Sequence, residues 1–185
     1  DGRWSNGDAV IAEDFVFGLR RALDPNTLSS YASILYPIRN AAAINRGDMD
    51  PQLLGVRALD ELTLEIVLEA STPYFLGLLN HNMAFAVHRP SLTEHGDRFA
   101  RVGNLVSNGA YILNDWVIQS HIELVRNPLF RDNANTVIDK VTYYAIENSD
   151  AVFKRYRAGD IDLTQSIPPK QLEWISANMP GEYHQ

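Results

Sequence analysis

The stretch Val56-Arg57-Ala58-Leu59-Asp60-Glu61-Leu62-Thr63-Leu64-Glu65-Ile66-Val67-Leu68 carries the clearest structural signal in the chain. Two β-prone runs flank Asp60-Glu61. Leu62, Leu64, Ile66 and Leu68 recur at period two, which predicts a hairpin with one apolar face. Upstream the period changes. From Ala12 to Leu23, Phe15, Leu19 and Ala22 share one stripe, with Val16 and Leu23 flanking it, and this predicts a helix. Glu13 and Asp14 in its first turn and Arg20 and Arg21 in its last match the helix dipole. Asp24-Pro25-Asn26 stops it. A helix followed by a hairpin makes the fold class mixed α/β (α+β).

Working outward, Trp4-Ser5-Asn6-Gly7-Asp8 is turn chemistry, because Asn6-Gly7 readily supplies positive φ. Tyr31 to Ile44 reads as mostly helical. Pro73 opens a short helix through Leu79, Met83 to Val87 reads as a short buried strand, and Pro90 to Phe99 as a helix. After the Asn108-Gly109 turn come strands at Tyr111 to Val117 and His121 to Arg126, joined by Ile118-Gln119-Ser120. A further strand lies within Val137 to Ile146. Asn148-Ser149-Asp150 caps a helix over Ala151 to Ala158, with Gly159 just past its end. Ile161 to Thr164 reads as a short strand. Pro168-Pro169 opens a last helix with Leu172, Ile175 and Met179 on one stripe. The change of element type near His88 to Pro90 sets a boundary between residues 1–88 and 89–185.

Composition narrows the function classes. The 185 residues are 45% hydrophobic and 21% charged, which is a globular balance. No apolar run is long enough to span a bilayer. The net charge is −7 without a Lys/Arg cluster, so a broad nucleic-acid-binding face is excluded. The absence of cysteine excludes disulfides, thiolate metal sites and a cysteine nucleophile. The chain opens at Asp1 without a leader, which predicts a removed signal or a piece of a longer protein.

A search for chemistry returns little. The histidines are His81, His88, His95, His121 and His184, and none shows the i, i+4 pairing of a helical zinc motif. Glu94-His95-Gly96-Asp97 has the composition of a surface turn. There is no Gly-x-Ser-x-Gly elbow and no glycine-rich phosphate loop. Asp160 and Asp162 share a face if extended, yet read better as surface carboxylates flanking Ile161. We expect no catalytic residues, no metal site and no cofactor. Tyr31, Tyr36, Tyr74-Phe75, Tyr143 and Tyr144 could line an apolar cleft, although composition alone favours core and rim positions for them.

Longer strings are more specific. Trp4-Ser5-Asn6-Gly7-Asp8, Ala12-Glu13-Asp14-Phe15-Val16 and Asp24-Pro25 resemble the bacterial extracellular solute-binding proteins of the oligopeptide-binding type (family 5), receptors of peptide ABC importers. The resemblance continues in order through Ser30-Tyr31-Ala32-Ser33, Leu54-Gly55-Val56, Ala58-Leu59-Asp60, Thr63-Leu64-Glu65 and Thr72-Pro73-Tyr74-Phe75. It then runs through Ser107-Asn108-Gly109-Ala110-Tyr111, Asn127-Pro128 and Ala158-Gly159-Asp160-Ile161-Asp162. It implies a partial periplasmic binding protein-like clamshell: residues 1–88 as most of the small second lobe, and residues 89–185 as part of the first. It also implies capture of an oligopeptide through its backbone, delivery to the membrane permease of an ABC importer, a monomeric state, and a periplasmic or lipid-anchored location.

By residue-level match, the resemblance assigns ligand contact to Tyr31, His81, Thr164, Gln165 and Ser166. Relatives often carry Tyr or Asn where Gln165 and Ser166 stand, though Gln165 both donates and accepts. Ile11 stands where relatives often have Thr, which removes a helix cap worth about 1 kcal/mol unless something replaces it. Within the family the ligand could instead be a murein peptide, an oligosaccharide, or a nickel or haem complex. From another class, the segment could be a ligand-sensing domain fused to a regulator, with a hydrolase a third reading. A single wall of a clamshell is expected to bind peptide weakly or not at all.

Overall fold

The computed structural model describes residues 2–165 and 167–182, and by packing these form two units. The first comprises the residues up to Asn114 together with Leu124–Lys140; the second comprises Asp115–Glu123 and the residues from Val141 on.

The first unit is built on helix α1, Ala12–Leu23, as the periodicity predicts. Its buried face is rotated from the expected stripe: Val16, Leu19, Ala22 and Leu23 are buried, whereas Phe15 is half-buried. Ile11 provides no side-chain cap. Two other groups tie down this end of the helix. The Ala12 N–H donates to the Glu61 carbonyl at 2.8 Å, and the Asp14 carboxylate accepts from the Ile11 N–H at 3.0 Å. The hairpin therefore satisfies one of the open N–H groups at the start of the helix.

The hairpin pairs β1, Val56–Ala58, with β2, Leu64–Ile66, antiparallel in the register Val56↔Ile66, Arg57↔Glu65 and Ala58↔Leu64. Leu64, Ile66 and Leu68 pack against the core, but Leu62 is 82% exposed because the turn takes it out of the strand. Arg57 and Glu65 form an ion pair at 2.6 Å across the outer face. Beyond β2 the chain pairs Val67 and Leu68 with the Pro37–Arg39 segment through Arg39 N–H to Val67 O and an Ile38↔Leu68 bridge. Gly55 is required at this junction: a Cβ there would lie 2.7 Å from the Val67 carbonyl oxygen.

The region expected to be helical from Tyr31 to Ile44 is divided. A 3-10 turn spans Ala32–Leu35, and α2 covers only Ala41–Asn45. Pro37 has no N–H to donate back along the chain, so it cannot continue the turn into a helix, and Asn40 enters α2 from the left-handed region at φ 68°. Helix α3, Phe75–Leu78, is shorter than expected. Met83 to Val87 is not a strand: Asn82–Ala84 is a 3-10 turn, and the extended residues after it lie against α1, with the Val87 N–H donating to the Asp14 carbonyl at 3.3 Å. Helix α4, Arg89–His95, follows, and His88 caps it by accepting from the Ser91 N–H at 3.2 Å. The core gathers Val16, Leu19 and Leu23 with Leu35, Ile38, Ile44, Val56 and Phe75. Each such side chain contributes roughly 1.5–3 kcal/mol by leaving water.

Three more strands form one sheet in the order β3-β4-β5: Tyr111–Val117, His121–Arg126 and Lys140–Tyr144. The turn Ile118-Gln119-Ser120 holds Gln119 at φ 60°. In the second unit, helix α5 spans Ser149–Arg157; Asn148 caps it by accepting from the Ala151 N–H at 2.9 Å. Gly159 follows at φ 79°. Ile161 to Thr164, expected as a strand, has none of the pairing of one among the described residues. A 3-10 turn at Pro169–Gln171 leads into α6, Leu172–Asn178, where Ile175 is buried and Leu172 is 40% exposed. Phe153 and Ile175 are the buried apolar anchors of this unit.

Candidate ligand-binding surfaces

Tyr31 and His81, 50 positions apart in the sequence, are brought together in the first unit, with ring centroids 5.5 Å apart and planes inclined by 54°. Tyr31 precedes the Ala32–Leu35 turn and is 62% exposed. His81 precedes the Asn82–Ala84 turn, and its Nδ1 accepts from the Met83 N–H at 3.3 Å. A neutral imidazole that accepts at Nδ1 carries its proton on Nε2, so the free edge of His81 is a hydrogen-bond donor. Together the pair offers an aromatic face, a hydroxyl that donates or accepts, and one N–H donor.

Thr164 and Gln165 belong to the second unit and line a cavity of about 260 Å³ with Tyr143, Tyr144, Ile146 and Leu163. The strand β5 supplies the tyrosines, and the Arg155 guanidinium lies over the Tyr144 ring, 4.6 Å from its centre. Stacking of this kind holds an aromatic side chain at an exposed position. Thr164 also borders a second cavity of about 390 Å³, next to Phe153, Tyr156, Ile175 and Glu182. There the Tyr156 hydroxyl donates to the Glu182 carboxylate, which pushes the phenol above its ordinary range. Ser166 lies outside the described residues.

The other aromatic candidates separate. Phe75 is a core residue, Tyr36 donates its hydroxyl to Asn45 Oδ1 at 2.9 Å, and Tyr74 is 67% exposed. The association of Tyr143 and Tyr144 with Thr164 and Gln165 was not readable in the sequence, since it depends on how the segment after α5 returns to the end of β5.

The other polar candidates from the sequence are engaged by near neighbours. Asp160 faces Arg155 at 3.8 Å, and the exposed Glu94 stands 4.0 Å from His95. His88 is buried within hydrogen-bond distance of Asp8. Among the described residues there is no cluster of three His, Cys, Asp or Glu side chains able to hold a metal ion, and no helix is long and apolar enough to cross a membrane.

The family model described as bacterial extracellular solute-binding proteins, family 5 middle, matches residues 1–182. The chain is 42% identical over 182 residues to the probable deoxycholate-binding periplasmic protein YgiS of Escherichia coli (strain K12), covering 97% of this chain and 34% of that protein. It is 40% identical over 187 residues to the periplasmic oligopeptide-binding protein OppA of the same organism, covering 100% of this chain and 34% of OppA. Among solved structures, Haemophilus influenzae OppA in complex with RPPGFSPFR superposes with a TM-score of 0.95 at 39% identity, covering 98% of this chain and 36% of that one. The chain thus spans about a third of the length of the curated relatives it matches.

Proposed function

From the chain's membership of the bacterial extracellular solute-binding proteins, family 5, we propose that it forms part of a receptor that captures peptides without covalent chemistry and delivers them to the permease of an ABC importer. The observation that carries this reading is the TM-score of 0.95 to H. influenzae OppA in complex with a peptide. In this reading residues 1–88 belong to the small second lobe and residues 89–185 to the first. The protein is a monomeric receptor rather than an enzyme, and works in the periplasm or anchored by lipid outside the cell; the periplasmic names of its relatives support that location.

The binding chemistry follows from the exposed groups. A peptide backbone alternates donors and acceptors, so it needs both kinds from its receptor. The Nε2–H of His81 meets a ligand carbonyl or carboxylate, while the Tyr31 hydroxyl and the Gln165 amide match either partner. Such contacts tolerate many side chains because they address the backbone, and water fills the space that each side chain leaves.

A second reading is capture of an amphipathic steroid acid, favoured by the 42% identity to the probable deoxycholate-binding relative. Titration calorimetry on the full-length protein with a panel of tripeptides and with deoxycholate separates the two. Heats from several unrelated tripeptides and none from deoxycholate support peptide capture; the reverse pattern overturns it.

A further inference from the structure

On the first unit, away from Tyr31 and His81 in its lining, a cavity of about 420 Å³ lies between α1, the turns at Pro25–Thr27 and Pro51–Leu53, and α4. Arg20 and Arg21 of α1 and Arg89 of α4 all line it. In a chain of net charge −7, three arginines against two carboxylates in one lining are a local reversal of sign.

None of the three is paired with a carboxylate among the described residues. Arg89 and Arg21 are held instead by stacking: the Arg89 guanidinium carbon is 5.4 Å from the centre of the Phe17 ring, and that of Arg21 is 5.4 Å from the centre of Phe99. Stacking occupies the flat face of a guanidinium and leaves its in-plane N–H fork available. The Nε of Arg20 is buried and has no acceptor. A buried donor without a partner is costly enough that such groups are nearly always satisfied by water, an ion or a ligand.

Two carboxylates share the lining, and they decide the kind of anion. Asp24 is already engaged, its Oδ1 accepting from both the backbone N–H and the side-chain amide of Asn26. Glu13 is exposed on the first turn of α1. With both present, the hollow is only weakly positive, which disfavours a phosphate dianion and suits a carboxylate that can take the arginine fork bidentately. The rest of the lining includes Phe17, Pro51 and Leu92, so an occupant gains by presenting apolar side chains beside its carboxylates. Arginine beside aromatic side chains is also the composition of binding hot spots between proteins.

We propose that the Arg20–Arg21–Arg89 hollow is a docking site for an acidic polypeptide segment of a protein partner, which it takes through Asp or Glu carboxylates flanked by apolar side chains. The site is independent of the one proposed for captured ligand.

Fluorescence anisotropy on the chain, with a labelled peptide alternating glutamate and leucine and its glutamine counterpart, tests the assignment. The glutamate peptide is expected to bind at least about tenfold more tightly, and to weaken as salt rises from about 50 to 300 mM because exposed charges are screened. Arg21→Gln with Arg89→Gln should remove the difference between the peptides, and Arg89→Lys should recover only part of it, because lysine keeps the charge but loses the fork. Tyr31→Ala should leave the binding unchanged. Equal affinity for the two peptides overturns the proposal, as does loss of binding in Tyr31→Ala, which would put the peptide in the captured-ligand site. Displacement by free citrate at matched carboxylate concentration overturns the polypeptide assignment.

Discussion

His88 Nε2 lies 2.9 Å from Asp8 Oδ2, joining positions 80 residues apart. His88 is buried while Asp8 is 57% exposed, so the bond links the interior to the surface. The other ring nitrogen accepts from the Ser91 N–H, which leaves the Nε2 proton to be donated to Asp8. The Trp4 ring meets the imidazole edge-on at 5.2 Å and donates its own N–H to Asp14 at 2.9 Å. The N-terminal turn, α1 and α4 are thereby tied at one point, with Ser91 Oγ extending the link to the Asn104 carbonyl at 2.7 Å.

Asp8 makes this point sensitive to acid. The side-chain hydrogen bond from Asn6, and then that from His88, hold its carboxyl below the usual aspartate range. A depressed folded-state pKa contributes stability above the unfolded value, and that stability is lost as pH falls through the folded value. Asp8→Asn should therefore melt below the parent at neutral pH, with the gap closing below about pH 4. Circular dichroism melts across pH 3 to 7, on the order of the carboxylate range, read this directly; a gap independent of pH contradicts it.

Gly18 lies inside α1, where alanine is intrinsically better by about 1 kcal/mol. A Cβ at this position would stand 2.6 Å from the Phe85 carbonyl oxygen and 3.4 Å from Val87 Cγ2. Gly18→Ala should accordingly destabilise, by roughly 1–3 kcal/mol, because the extended segment after Ala84 must move away. Urea unfolding gives the sign, and a stabilised variant would contradict this packing.

Leu19 and Leu62 are the same residue type in opposite situations, 1% and 82% exposed. Leu19→Ala should cost about 2–5 kcal/mol as the core is left with a cavity. Leu62→Ala should change stability by no more than about 0.5 kcal/mol. Comparable losses in denaturant titrations would restore Leu62 to the buried face of the hairpin.

Tyr31→Ala in the full-length protein should weaken tripeptide binding about tenfold, in the range of an aromatic contact at an interface, without altering the melting curve, since the ring is 62% exposed. Unchanged calorimetric affinity across the panel removes Tyr31 from the ligand surface.

Much of this was readable locally. Helix α1 coincides with its predicted bounds because a 12-residue amphipathic period, acidic and basic ends and a following Asp-Pro all agree. The hairpin follows from period two, and strands β3 and β4 from the Asn108-Gly109 turn before them and the Ile118-Gln119-Ser120 connection between them. The errors lie where local propensity met a tertiary demand. Met83 to Val87 has the composition of a strand, but among the described residues no strand pairs with it, and Val87 bonds to the α1 backbone instead. The run from Tyr31 to Ile44 is apolar enough for one helix, but Pro37, which lacks an N–H, and the left-handed Asn40 divide it.

The candidate site divides in the same way. The ordered strings of residues identified the family and pointed to Tyr31, His81 and Gln165, since short motifs in series need no coordinates to be read. Only the tertiary structure brought Tyr31 to His81, put Tyr143 and Tyr144 beside Gln165, and gathered Arg20, Arg21 and Arg89 around one hollow. Periodicity reports which face of an element is apolar over a few residues; it carries no information on which distant element will cover that face. The helix, hairpin and family were therefore determined by the chain's local order, and the groupings that could bind a ligand or partner by long-range packing alone.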